Sequence, residues 1–271
     1  MDNNFFRNEL HQYIDYCYDG FCKYQKIVND IFKVFHEICL KNKIRYYLSF
    51  GTLLGRIRDG NQIPWDYDCD VCIHIEDVKT LLLLLDKFLP NDLFLDSNFT
   101  NKHCPVYMIR IGKKGYDINH LHLDIFYLLP VEKKQIKIQK KVASIFKKRV
   151  MLLYDFGKKS MKYKLLNLFR RIKCFPSTVF SLNFQFMRMI SRKNKKVDFY
   201  IVIGDHAEIF ENSIFSEPLL MIDKYGEYFA PTKPEQFLKE RYGDYNNYLP
   251  IKDRFEEFYK FYILIKDGEN E

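Results

Sequence analysis

No stretch of this 271-residue chain is apolar for long enough to cross a bilayer: a spanning helix needs roughly 18–20 such residues, and the richest run, 81–85, stops far short. The opening Met1-Asp-Asn-Asn-Phe-Phe-Arg-Asn-Glu lacks a basic start and an apolar middle, so no secretory leader is expected there. Internal repeats and low-complexity stretches are also missing, so a repeat architecture is not expected. Cysteine occurs seven times, at 17, 22, 39, 69, 72, 104 and 174, an odd number without paired metal-ligand spacing. Cys69-x-x-Cys72 comes nearest, but on an extended run its thiols face opposite ways. A zinc site or a disulfide framework is therefore not expected; buried, reduced thiols in a cytoplasmic compartment are.

Hydrophobic residues make up 47% and charged residues 29%, which allows a buried core and speaks against global disorder. Aromatics reach 17%, nearly all Phe and Tyr, enough for the core with some left for an interface or a ligand pocket. The net charge of +8 is uneven: residues 133–196 hold 20 Lys or Arg against one acid, Asp155, and the rest of the chain is net acidic. In that segment the basic residues alternate with Leu, Phe and Met at roughly helical spacing. Two readings stand side by side: helices lying on an anionic membrane surface at the inner face of the cell membrane, or a helical insertion packed on the body with a solvated basic face. No nucleic-acid motif accompanies the charge, so no nucleic-acid partner is expected.

Hydrophobic periodicity predicts helices over residues 5–40, broken near Gly20, with Ile27, Ile31, Val34, Phe35 and Ile38 forming one apolar stripe. Strands are expected over 44–50, 66–75, 106–111 and 121–128, and shorter ones over 199–203 and 219–222. Helices are expected over 52–59, 76–88, 234–241 and 255–265, besides the basic ones. The class is α+β, with strands clustered before residue 130. It divides into N-terminal helices (1–45), a core (46–130), a basic helical insertion (131–197) and a C-terminal part (198–271) that completes the site, all one catalytic domain.

Asp66, Asp68 and Asp70 alternate with Tyr67, Cys69 and Val71, and on a strand such positions share a face. A row of like charges needs a reason. A hard divalent cation, Mg²⁺ or Mn²⁺, is a good one, because it takes oxygen ligands and substrate phosphates. A second strand offers Asp124 on the same face as His120 and His122, flanked by Leu123 and Ile125. The two histidines read as hydrogen-bonding groups in preference to ligands of a separate metal. Upstream, Ser49, Gly51, Thr52 and Gly55 lie in a turn that opens a helix, where free backbone N–H groups suit phosphate, with Arg56 and Arg58 close by.

The residues resemble the LicD family, within the nucleotidyltransferase-fold superfamily. Its pattern is matched by Tyr47-Leu-Ser-Phe-Gly-Thr-Leu-Leu-Gly-Arg-Ile-Arg58, Ile63-Pro-Trp-Asp-Tyr-Asp-Cys-Asp70, Asp124-Ile-Phe126 and Tyr242-Gly-Asp-Tyr245, in order. Tyr67 stands where the family has another Asp. The resemblance implies a nucleotidyltransferase-like mixed sheet and a phosphotransferase of the LicD type. Its donor would be a CDP-alcohol, CDP-choline favoured over CDP-ribitol or CDP-glycerol. Its acceptor would be a hydroxyl of a surface glycan, such as lipopolysaccharide or teichoic acid, or of a lipid-linked precursor, with CMP released. It implies that Asp68, Asp70 and Asp124 are the catalytic, metal-holding carboxylates. Trp65, Asp66, His122, Tyr242, Asp244 and Tyr245 are candidate substrate contacts; aromatic faces would suit choline, and packing is the competing reading for each ring. Two rival functions remain: NMP transfer from an NTP, and a non-enzymatic, membrane-peripheral glycan-binding protein.

Overall fold

The computed structural model describes residues 3–63, 66, 68–97, 108–118, 121–141, 189, 196–203, 207–224, 226–250 and 253. Pro64, Trp65, Tyr67, His120, most of the basic segment (142–188 and 190–195) and the helix expected over 255–265 lie outside the described residues.

Helix α1 (Asn3–Lys41) runs through Gly20 without the expected break. A lone interior glycine costs only about 1 kcal/mol, too little by itself to interrupt a helix of 39 residues. Val28, Ile31, Phe32, Phe35, Ile38 and Cys39 form its buried stripe, with Ile27 and Val34 on the margin. The chain then enters β1 (Tyr46–Leu48), turns into α2 (Phe50–Leu54) and continues as a π-helical turn over Gly55–Asp59. Next come β2 (Cys69–His74), α3 (Val78–Phe88), β3 (Leu93–Ser97), β4 (Ile109–Lys113) and the ten-residue β5 (His122–Val131). After the basic segment come β6 (Phe199–Ile203), β7 (Ala207–Glu211), a 3₁₀ turn (Asn212–Phe215), β8 (Leu219–Asp223), β9 (Gly226–Ala230) and α4 (Pro234–Tyr242).

The result is an α+β fold around a mixed sheet. β2 and β5 pair in parallel; β1 with β2, β3 with β4, and β4 with β5 pair antiparallel. β5 is buried throughout. One of its edges carries β2; the other carries β4 along its first half and β6 along its second, with β7 outside β6. Strands before residue 130 form most of the sheet, and the strands expected over 199–203 and 219–222 are present as β6 and β8. β6 and β7 complete the same sheet, and the short β3, β7 and β9 carried too little alternation to be expected.

Alternation along the strands sorts their side chains by face. Tyr46, Val71, Ile73, Leu123 and Ile125 meet α1, where Phe35 and Phe32 pack on Tyr46 at 5.0 and 6.0 Å between rings. Tyr47, Asp70, Cys72, Asp124 and Phe126 face the other way. There Phe50 packs on Phe126 at 5.0 Å and on Phe237 of α4 at 5.7 Å, and Phe215 packs on Tyr47 at 5.3 Å. This second face is apolar around those rings; its polar groups are the carboxylates at the start of β2 and β5, the Arg110–Asp96 pair beside them, and His74 at the end of β2. The β8–β9 hairpin forms a separate two-stranded sheet held to the body by Arg56 and Tyr46.

Candidate active site

The site is built where β1 ends. Ser49 is extended, with φ −139° and ψ 169°, and Phe50 follows at φ 46°. That left-handed conformation costs a non-glycine residue about 1–2 kcal/mol. It turns the chain straight from the strand into α2, and the ring contacts of Phe50 hold it there. The turn then lies against β2: Asp70 N–H donates to Thr52 Oγ1 at 2.9 Å, and Ser49 N–H to the Asp70 carbonyl at 2.9 Å.

The four aspartates reach the site by two routes. Asp70 is on β2, in register with Asp124 on β5, which is in register with Arg110 on β4, which is in register with Asp96 on β3. Register partners share a face, so one row runs Asp70, Asp124, Arg110, Asp96 across four strands. Arg110 is buried and ion-paired with Asp96. Asp66 and Asp68, expected on the same strand, instead precede it, because β2 begins at Cys69. Their backbone is held by side-chain amides. Gln25 Nε2 donates to the carbonyls of Ile63 (2.9 Å) and Asp66 (2.8 Å), and Gln62 Nε2 to those of Asp66 and Asp68 (3.3 Å each).

The electrostatics reflect crowding. Burial first, and then the Asp68 carboxylate beside it, raises the Asp66 carboxyl well above the usual range. Burial also raises the Asp68 carboxyl; His122 counteracts it and Asp124 adds to it. His122 Nε2 lies 3.3 Å from Asp124 Oδ1. Burial would depress this imidazole, but Asp124 and Asp68 together outweigh it and raise its pKa. Asp66 Oδ2 is buried without a hydrogen-bond donor, and Asp124 Oδ1 has only the long 3.3 Å contact with His122. Crowded oxygens short of donors fit a hard divalent cation. Among the described residues no three His, Cys, Asp or Glu side chains converge as a complete ligand set. A cation here would thus draw on one or two carboxylates together with a substrate's phosphates, the usual habit of Mg²⁺.

The remaining predicted residues divide. Gly51 abuts Asp66: a Cβ there would lie 3.0 Å from Asp66 Oδ2. Tyr242, at the end of α4, is 37% exposed. Its phenol is raised by burial and then by Asp70 and Asp66, which puts its hydroxyl in the field of the acidic cluster. Ser49 is wholly buried and lies within hydrogen-bond reach of the Tyr47 carbonyl and Cys72 Sγ. Gly55 packs on the backbone of 61–63. Arg56 is buried, with Nη1 2.7 Å from Asp223 and Nη2 3.0 Å from Asn29. Arg58 holds Asp59 through two bonds of 2.7 and 2.8 Å and lies 4.2 Å from the Tyr248 ring centre. Asp244 accepts from Asn247 at the exposed end of α4, and Tyr245 packs partly on the core. Trp65 lies outside the described residues. Sequence reasoning missed Gln25, Asn29, Gln62, Arg110 and Asp96. Only the interrupted alternation of β4, a charge in an otherwise apolar run, signalled any of them.

Residues 43–152 match the family described as LicD/FKTN/FKRP, nucleotidyltransferase domain. This stretch is therefore similar to the nucleotidyltransferase domain of the LicD family. The match contains β1 through β5 and all four carboxylates. Among curated relatives, the lipopolysaccharide cholinephosphotransferase LicD of Haemophilus influenzae is 43% identical over 55 residues, covering 20% of this chain and 21% of that protein. The human ribitol 5-phosphate transferase FKRP is 57% identical over 35 residues, covering 13% and 7% respectively. An uncharacterized protein of Rickettsia typhi is 36% identical over 87 residues, covering 32% and 26%. The chain thus spans about a quarter or less of the length of these LicD relatives. No described helix is long and apolar enough to cross a membrane.

Proposed function

We propose that the protein is a metal-dependent phosphotransferase that moves a phospho-alcohol from a CDP-alcohol, CDP-choline first, onto a hydroxyl of a cell-surface glycan or its lipid-linked precursor. The observation that carries this reading is the juxtaposition of Asp70 and Asp124 on parallel strands, with Asp68 next to Asp124 and Asp66 against Gly51. One or two of the carboxylates Asp68, Asp70 and Asp124, together with the donor's phosphates, would hold Mg²⁺ or Mn²⁺, whose charge would neutralise the donor pyrophosphate and the departing CMP. The Gly51–Thr52 turn lies beside them and offers backbone N–H groups toward the phosphates. Asp124 would accept the acceptor's hydroxyl proton. The freed oxygen attacks the phosphorus that carries the alcohol, the bond to the bridging oxygen breaks, and CMP leaves with that electron pair. Tyr242, whose phenol lies in the field of Asp70 and Asp66, would offer an aromatic face for a quaternary ammonium.

The ribitol 5-phosphate transferases among the relatives support CDP-ribitol as the second donor. The test is incubation with Mg²⁺ and a panel of CDP-alcohols and NTPs, scored for CMP or pyrophosphate, with Asp68→Asn alongside. CMP release from CDP-choline that is lost in the folded variant is the expected result. Pyrophosphate release from an NTP would replace this reading by nucleotidyl transfer, and near-wild-type turnover of Asp68→Asn would refute the carboxylate assignment.

A further inference from the structure

A chain of hydrogen bonds links the β8–β9 hairpin to the loop that carries Asp66 and Asp68, and from Arg56 to that loop it runs one way. Asp223, at the end of β8, accepts from Arg56 Nη1 at 2.7 Å. Arg56 Nη2 donates to Asn29 Oδ1 at 3.0 Å, and Asn29 Nδ2 donates to Gln62 Oε1 at 2.9 Å. Gln62 Nε2 in turn donates to the carbonyls of Asp66 and Asp68. Arg56, Asn29 and Gln62 are each less than a tenth exposed.

Both ends of this chain have fixed polarity. A guanidinium only donates, and a peptide carbonyl only accepts. The two amides between them therefore have one permitted orientation each. Asn29 Nδ2 also donates to the Gln25 carbonyl at 2.7 Å, which a flipped amide could not do. Gln25, one turn earlier on α1, donates to the same loop at Ile63 and Asp66. The carbonyls of Ile63, Asp66 and Asp68 thus accept from side-chain amides, those of Gln25 on α1 and of the nearby Gln62.

We propose that Asn29 and Gln62 are positioning residues for the acidic loop, and that Arg56 sets the direction of the donor chain that holds Asp66 and Asp68 in place. Arg56 then acts on the site through the loop and makes no contact with the donor. Only the activity arm of the test rests on the phosphotransferase reading.

Asn29→Asp removes no buried atoms and keeps the acceptor for Arg56. Its second oxygen, however, faces the Gln25 carbonyl and Gln62 Oε1. If Gln62 turns its Nε2 to meet that oxygen, its Oε1 is driven onto the carbonyls of Asp66 and Asp68. Gln62→Glu puts a carboxylate against the same two carbonyls. Both variants should fold, as judged by circular dichroism, with the turnover of the folded protein lowered roughly tenfold to a hundredfold and the donor KM little changed. The single tryptophan, Trp65, stands in sequence between Ile63 and Asp66, so its emission should shift in both. If Gln62→Glu does not fold, Gln62→Met, which removes the donor without adding charge, takes its place. Wild-type emission together with wild-type turnover in folded Asn29→Asp and Gln62→Glu (or Gln62→Met) would overturn the proposal, even if unfolding midpoints fell. If the wild type turns over no donor, the phosphotransferase reading fails, and the emission of Trp65 still decides the positioning role.

Discussion

Replacing Gly55 by alanine should destabilise the protein, although the local backbone favours alanine. Gly55 has φ −60° and ψ −43°, ordinary right-handed helix, where alanine would gain up to about 1 kcal/mol. Space decides the other way. A Cβ on Gly55 would lie 2.5 Å from the Asn61 carbonyl oxygen, 2.8 Å from Ile63 N and 3.2 Å from Ile63 Cγ1. The first two are backbone atoms and cannot rotate aside, so relief requires moving the segment that leads into Asp66. Overpacking costs typically ~1–3 kcal/mol; rigid backbone contacts belong at the upper end, which leaves a net loss of about 2 kcal/mol after the propensity gain. Urea titration followed by circular dichroism reads this directly, as a lower midpoint at unchanged slope. Gly51→Ala is the contrast. Its Cβ would come nearest to the Asp66 carboxyl group, with Oδ2 at 3.0 Å and Cγ and Oδ1 at 3.6 Å, and a carboxyl group can turn. Stability should stay within about 1 kcal/mol of wild type while metal-dependent turnover falls. A Gly55→Ala protein as stable as wild type would refute the close approach of 61–63 to the π-helical turn.

Arg110→Ala strips the cation from a buried row of carboxylates and should cost roughly 3–5 kcal/mol. Arg45→Ala, whose partner Glu217 is exposed, should cost about 0–1 kcal/mol. Equal unfolding midpoints for the two variants would contradict the burial of the Arg110–Asp96 pair. His74, buried and 2.9 Å from Tyr47 Oη, is pushed down to about 4, by burial first and then by Arg45. Its folded value lies below the unfolded one, so the unfolded chain takes up the proton first. The stability is therefore fully present above pH 6.5 and is lost as pH falls toward about 4. At pH 5 the loss should be on the order of 2 kcal/mol. The stability gap between wild type and His74→Gln should narrow by that amount between neutral pH and pH 5, and a constant gap would count against the assignment.

Much of the local structure was legible because it follows from short-range pattern. The stripe on α1, the expected strand at 199–203 and the proline-led helix at 234–241 all follow from spacing a few residues long. The alternation His122-Leu-Asp-Ile fixed which side chains of β5 share a face. The same rule failed at Asp66 and Asp68, where alternation continues but the strand does not. Those residues are held by Gln25 and Gln62, whose amides satisfy the backbone in place of a strand neighbour. Gly20 misled in the opposite sense: a helix breaker by propensity, it was outweighed by a helix 39 residues long. The Arg56 guanidinium, which read as a phosphate contact beside a Gly-Thr turn, points instead to Asp223, 167 positions away.

By itself the sequence determined the α+β class, the polarity of most strand faces, the Gly-Thr turn ahead of the carboxylates and the similarity of residues 43–152 to the LicD family. These depend on periodicity and on contiguous motifs, which a linear string records completely. Only the tertiary structure decided that β2 and β5 run side by side in parallel, with Asp70 opposite Asp124, and that Arg110 and Asp96 extend the row. It alone brought Tyr242 into the field of the acidic cluster and ran a donor chain from the hairpin to the loop. The reason is physical. Strand register, buried ion pairs and amide polarity are set by partners distant in sequence, and each is fixed only when burial removes water as the alternative partner.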